Sequence, residues 1–349
     1  MKKVFSALSV ATLSLSLVLA GCGTTQEAPQ GQAGEGAGGE TPAATARVGM
    51  VTDVGGVNDN SFNQSAWEGL QALRTELNLP EANVNYLQST SDADYVPNLN
   101  QFVKDNWDLT WGIGFLMGDH LKKVADENPN AKLAIIDAEV DAPNVASVLF
   151  KEHEGAFLAG VVAAKMSQSK KVGFVGGVEI PVIKRFELGF EAGVKAVDPE
   201  VQVIKIYTGF FDKPDEGKSA AAQIYGQGAD IIFHAAGQTG DGVFNEGKDR
   251  KSKGENVWVI GVDKDQSLTF GDDITLTSMV KRVDEAVLRV SKDAIDGNFP
   301  GGSIVWLGLA EDGVGLAETS SKNVPEDVLA LVEEYKQKIV SGEINVPAE

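Results

Sequence analysis

Short apolar runs alternate with stretches of helical period along most of this chain. The runs predict strands over 48–53, 84–88, 109–115, 133–137 and 145–150, then a second set over 172–175, 201–207, 230–235, 257–262 and 275–279. Helical period occupies 63–77, 97–106, 157–166, 185–196, 217–227 and 283–295, and the Glu/Lys-rich stretch 326–338 reads as an amphipathic surface helix. Strands rich in Val and Ile without polar alternation are covered on both faces, as in parallel sheets flanked by helices. Two such sets predict an α/β protein of two doubly wound lobes, alike in architecture without a repeat in sequence.

The first 46 residues break this rhythm. Lys2 and Lys3 precede an apolar run, 4–20, interrupted only by Ser and Thr, and Leu19-Ala20-Gly21-Cys22 closes it. A positive start, a short apolar segment and small residues before the cysteine make 1–21 a signal peptide rather than a spanning helix. The close resembles a bacterial lipobox, which implies cleavage before Cys22 and acylation of that residue; more than one acyl chain gives a stable anchor, at about 0.8 kcal/mol per buried CH₂. From 23 to 46 the chain carries no Val, Ile, Leu or aromatic residue. Such a segment cannot bury enough apolar surface to offset its ordering entropy, so 22–46 reads as a lipidated cysteine and a flexible tether.

At 349 residues, the chain is long enough for two lobes beyond that segment. The expected division is 47–150 for lobe 1, with a C-terminal return near 280–300, 151–279 for lobe 2, and 300–349 for strands and a helix that complete both. Thirty basic against fifty acidic residues leave a net charge of −20, which makes nucleic acid and anionic membrane surfaces poor partners for the body of the protein. Cys22 is the single cysteine, and His120, His153 and His234 lie far apart. An internal disulfide is excluded, no zinc-ligand spacing is present, and no cofactor is expected.

Ligands of open parallel sheets sit at the carboxyl ends of the strands, so the residues that follow each strand are the candidates. They include Asp53 and the loop to Gln64, Gly118-Asp119, Asp137, Gly176-Gly177 ahead of Arg185-Phe186, Phe210-Phe211, Ala236-Gly237, Asp263 and Lys281. The set is rich in carboxylates and phenylalanines and holds no nucleophile beside a base. Carboxylates accept hydrogen bonds from sugar hydroxyls, and phenylalanine faces suit a flat ring. A phosphorylated ligand would meet repulsion here; a neutral, flat, hydroxylated molecule such as a nucleoside fits. For each residue a plainer role also exists: Asp53 as a turn residue, Phe62 as core, Lys281 as a solvated lysine, Asp119 as a helix cap.

The run Asp53-Val54-Gly55-Gly56, Ser61-Phe62-Asn63-Gln64 and Trp67-Glu68-Gly69 resembles the opening signature of the basic membrane protein family, the PnrA-like nucleoside-binding lipoproteins of ABC importers. The similarity continues through Ala134-Ile135-Ile136-Asp137, Glu154-Gly155-Ala156-Phe157, Phe186-Glu187-Leu188-Gly189, Ile260-Gly261-Val262-Asp263 and Thr277-Ser278-Met279-Val280-Lys281-Arg282. It implies a type I periplasmic-binding-protein fold with a hinge, and a monomer that carries a purine nucleoside to a permease and its ATPase. It also implies residence on the extracytoplasmic face of the cell membrane. By the same resemblance, Phe62 matches a stacking aromatic of the first lobe and Asp53 the acidic residue ahead of it. Asp137 and Asp263 match strand-end carboxylates, and Lys281 the lysine after the last core strand. Phe186 is the candidate for the second stacking face, with Phe211 as its rival; Gly237 brings backbone close to the ligand, and Asn63 and Asp119 are secondary candidates. The chain departs from its relatives at Asn58-Asp59-Asn60, where Asp and Lys are frequent. Two other function classes stay open at this point: a nucleoside hydrolase using Asp137 or Asp263, and a receptor or carrier for another flat solute such as a flavin.

Overall fold

A computed structural model describes residues 45–349. The expected signal peptide, Cys22 and all but the end of the expected tether lie outside the described residues.

Lobe 1 opens with β1 (Val48–Val51), α1 (Phe62–Glu76), β2 (Val84–Leu87), α2 (Tyr95–Lys104), β3 (Leu109–Ile113), α3 (Gly118–Glu127), β4 (Leu133–Ile136) and β5 (Val145–Phe150). The chain then enters lobe 2 with α4 (Glu152–Met166), β6 (Lys171–Gly176), α5 (Pro181–Val197), β7 (Gln202–Tyr207), α6 (Pro214–Gly226), β8 (Ile231–Ala235), α7 (Thr239–Ser252), β9 (Trp258–Asp263), the single turn α8 (Ser267–Phe270) and β10 (Thr275–Lys281). Helix α9 (Val283–Ile295) returns to pack on α1, and β11 (Ile304–Leu307) joins the first sheet. Strand β12 (Val314–Leu316) joins the second sheet, and α10 (Glu326–Val340) packs on α4. The backbone thus crosses between lobes three times, after β5, after β10 and after β11.

The sheets are built alike. The first runs β11-β5-β4-β3-β1-β2, all parallel; the second runs β12-β10-β9-β8-β6-β7, parallel except for β12. Each therefore reverses strand order once, between β1 and β3 and between β6 and β8, and such switch points open a crevice at the carboxyl ends. Strands β1, β3, β4, β5 and β8 are buried throughout, which is why their sequences show no polar alternation.

Several helices begin earlier than their apolar period. Helix α5 starts at Pro181 and α6 at Pro214, where a proline's fixed φ suits the first helical position and its missing N–H is not needed. Pro97 likewise falls within the first turn of α2. Helix α7 shows little apolar period because it packs through glycines: a Cβ at Gly242 would stand 1.8 Å from the Pro214 carbonyl oxygen.

Helices α4 and α5 also meet through glycines, and a Cβ at Gly193 would lie 2.0 Å from the Phe157 carbonyl oxygen. Backbone cannot yield there as a side chain would. Gly193→Ala is expected to destabilise the protein by about 1–3 kcal/mol through overpacking. Gly226, near which nothing lies within 4 Å, is the control: its change to Ala should be neutral or stabilising by up to about 1 kcal/mol. Urea denaturation of both variants checks the contrast, and equal midpoints would show that α4 and α5 pack less closely. Among the described residues, no helix is long and apolar enough to cross a membrane.

Candidate functional site

The loop between β1 and α1 is organised by one buried carboxylate. Asp59 accepts the backbone N–H groups of Ser61 (3.0 Å), Asn63 (2.8 Å) and Gln64 (3.0 Å), together with Asn63 Nδ2 (3.0 Å). Ser61 makes no side-chain cap to α1, so Asp59 satisfies the orphan donors and places negative charge at the positive end of the helix. Phe62 and Asn63, in the first turn, are thereby fixed at the cleft. Asp53 accepts Gly55 N–H at 3.0 Å and Asn63 Nδ2 at 2.8 Å. Burial still pushes its carboxyl up to about 6, and Asp59 is also raised by burial.

Asp137 follows β4 and Asp263 ends β9, the fourth strand of each lobe, so the two occupy equivalent places. Both take left-handed backbone, φ 71 and φ 64, a region Asp enters more readily than most residues. The Asp137 oxygens receive Lys281 Nζ at 2.7 and 2.6 Å. The same ammonium donates to Glu152 at 3.0 Å, and Arg185 Nε donates to Glu152 at 2.6 Å. Lys281 closes β10 and Glu152 opens α4, so this network sits at two of the crossings between lobes. Burial opposes the charge of Lys281, but Asp137, Glu152 and Asp263 outweigh it and hold its pKa above the ordinary value. Burial likewise opposes ionisation of Glu152, and Lys281 and Arg185 overcome it, keeping that carboxyl low. The Lys281 ammonium also lies 5.2 Å from the Phe62 ring centre and 5.8 Å from that of Phe186. Asp263 accepts a hydrogen bond from Ser61 Oγ across the cleft. Burial pushes its carboxyl up to about 7, with Lys281 and Ser61 opposing.

These groups border a cavity between the lobes, a place where small-molecule sites commonly form. Asp53, Phe62, Asn63, Asp137, Phe186, Phe211, Gly237, Asp263 and Lys281 all line it, with apolar walls from Phe115, Leu116, Ile180, Ile183 and Val262. Asp119 is not brought to this space; it is exposed in the first turn of α3, where its charge complements the helix end. Of the two aromatic candidates in lobe 2, Phe186 is 2% exposed and packs on Phe233, ring centres 6.2 Å apart. Phe211 is half-buried and lies over Gly177, where a Cβ would come within 2.4 Å of its ring. Gly237 has φ 53, which a side chain would strain.

Sequence reasoning missed Asp59 as the organiser of the loop, and it missed Glu152 and Arg185 as partners in the lysine network. An Asp just ahead of a helix start was a usable signal for the first. The other two meet only through the fold, 33 positions apart.

Comparison with known proteins agrees with this architecture. A family profile described as ABC transporter substrate-binding protein PnrA-like matches residues 46–349. A CD4+ T-cell-stimulating antigen of Listeria innocua is 46% identical over 99% of both chains. The ABC transporter nucleoside-binding protein BmpA of Lactococcus lactis is 38% identical over the full length of both. A solved solute-binding protein of an ABC transporter system from Aeropyrum pernix superposes with a TM-score of 0.79 at 34% identity, covering 87% of this chain and 94% of the other. The chain belongs to the Bmp family of PnrA-like ABC transporter substrate-binding proteins.

Proposed function

We propose that this protein captures a purine nucleoside in the interlobe cavity and delivers it to a permease, held at the outer face of the membrane through acylated Cys22. The observation that carries the reading is the convergence of Asp137 and Asp263, equivalent strand ends from opposite lobes, on a cavity flanked by phenylalanines. Ribose hydroxyls find their acceptors there, and the base lies between Phe62 and Phe211. Phe211 is preferred to Phe186 for the second face because Phe186 is 2% exposed and already packed on Phe233, whereas Phe211 is half-buried. Asn63 Oδ1 is buried without a hydrogen-bond partner and, with Asp53, offers acceptors to N–H groups on the base edge. The name of the Lactococcus relative, a nucleoside-binding protein, supports the same ligand class.

Calorimetry with guanosine, inosine, adenosine and cytidine tests the reading, with purines expected to bind and cytidine to bind weakly or not at all. Base–aromatic stacking contributes about 1–3 kcal/mol per base, so Phe62→Ala is expected to weaken purine binding by roughly 5- to 150-fold with the fold intact. Normal binding by that variant would place the ring in the core instead. Native mass spectrometry of protein purified without added ligand separates a nucleoside from a flavin by weight. Release of free base from guanosine during incubation would establish hydrolysis in place of carriage.

A further inference from the structure

One loop of lobe 1 reaches across the cleft beside the cavity. Asn60, with φ 53, receives Gln266 Nε2 on its backbone carbonyl at 3.0 Å and donates from its own side chain to Asp241 Oδ2 at 3.0 Å. Gln266 is fully buried, and the rest of its amide is committed inside lobe 2. Its Oε1 accepts Val262 N–H at 3.0 Å and lies 2.9 Å from His234 Nε2. An amide oxygen only accepts, so His234 carries its proton on Nε2. His234 is itself fully buried, with Nδ1 unpartnered, and burial holds its pKa down to about 4 against the opposing bond from Gln266. The ring is therefore neutral at physiological pH and fixed as a donor to the glutamine. With its oxygen held by two donors, the Gln266 amide has one direction left for its NH₂, toward lobe 1. Neither Gln266 nor Asn60 borders the cavity.

We propose that Gln266 is a positioning residue for lobe closure: a donor preset by His234 and Val262 that captures the Asn60 carbonyl. It thereby seats the loop that carries Phe62 without touching the ligand. The Asn60–Asp241 bond adds a second tie from the same loop residue. Closure then has a contribution independent of any ligand, placed on the β1–α1 side of the cleft.

Gln266→Glu tests this, because the glutamate keeps the acceptor for Val262 and His234 and keeps the shape. It replaces the donor with an oxygen that faces a carbonyl and adds a buried charge, whose effect on lobe 2 is read separately from β8. Spin labels at Ala93→Cys in lobe 1 and Ser219→Cys in lobe 2, both exposed sites, in a full chain carrying Cys22→Ser, report the interlobe distance. In ligand-free protein near pH 8, the closed-to-open ratio is expected to fall about tenfold in the Glu variant. Hydrogen exchange should rise across 54–64 while β8 keeps its protection. An unchanged ratio overturns the proposal. Loss of protection in β8 together with opening also overturns it, since Gln266 would then be holding lobe 2 together. The protein is unfolded, dialysed and refolded beforehand to strip any bound ligand, so the outcome is independent of the ligand assigned above.

Discussion

Lys281→Met is expected to destabilise the protein by about 3–5 kcal/mol, the usual consequence of removing one partner from a buried ion pair. The lysine is 1% exposed and sits between Asp137, 6% exposed, and a fully buried Glu152. Methionine fills most of the volume but leaves Asp137 without its only side-chain donor among the described residues. Glu152 keeps Arg185, so the damage falls mainly on Asp137. Two features separate this from ordinary loss of packing. First, Lys281→Met/Asp137→Asn should recover part of the loss, because it removes the stranded charge while keeping a residue that tolerates the left-handed backbone at this position. Second, the single variant should recover stability as pH falls, since protonating Asp137 relieves the uncompensated charge. Urea denaturation of the wild type and of the single and double variants at pH 5 and pH 8 checks both. A loss below about 1 kcal/mol at pH 8 would show that water reaches these groups and that the network is not buried in solution. Because the network lies at two crossings, the same variant is expected to alter the interlobe geometry and to bind nucleoside poorly.

Much of this architecture is legible in local pattern. Buried parallel strands such as β3 and β8 announce themselves as apolar runs, and reading the residue after each run leads to Asp53, Asp137, Asp263 and Lys281 without knowledge of the fold. All four line one cavity. Three kinds of feature escape. Helix α7 is held by glycine contacts with α6 rather than by an apolar stripe, and its 14 residues are not among the helices expected from sequence. Strands β11 and β12 are short and lie at sheet edges, where exposure of Ile304 and Trp306 removes the burial signal. Pairings across long sequence separation escape as well. Glu152 with Lys281, or Asn60 with Gln266, are matched by the fold alone, 129 and 206 positions apart. Asp119 shows the converse limit: a carboxylate after a strand satisfies the local rule, yet one turn of helix carries it to the surface.

Asp263→Asn is expected to weaken guanosine binding by about 10- to 150-fold while making the ligand-free protein no less stable at neutral pH. The affinity loss follows from the role proposed for this carboxylate. Hydrogen bonds to a charged acceptor contribute about 1.5–3 kcal/mol, which converts to that range of dissociation constants. Vicinal ribose hydroxyls can each donate to the carboxylate, whereas the amide presents one acceptor and one donor. Ser61 Oγ can still donate to the remaining oxygen, so the bond across the cleft survives and the change isolates the sugar contact. The stability statement follows from the burial that lifts the Asp263 pKa from 3.8 to about 7. Between those values the folded state holds a proton that the unfolded chain has released, so this group's contribution to stability falls as pH rises from about 4 to about 7, then levels off. Asparagine removes that slope. Thermal midpoints should therefore show the wild type losing ground to the variant across this window. Calorimetry on guanosine, 2′-deoxyguanosine and guanine should show the largest loss for guanosine and little for the free base. Equal weakening of all three would assign Asp263 to the base or to the lobe rather than to ribose. A variant that is also less stable at pH 8, where the wild-type carboxylate is mostly ionised, would mean that its charge is well compensated in the ligand-free protein. Its charge would then help to hold the closed lobes together instead of waiting for a sugar.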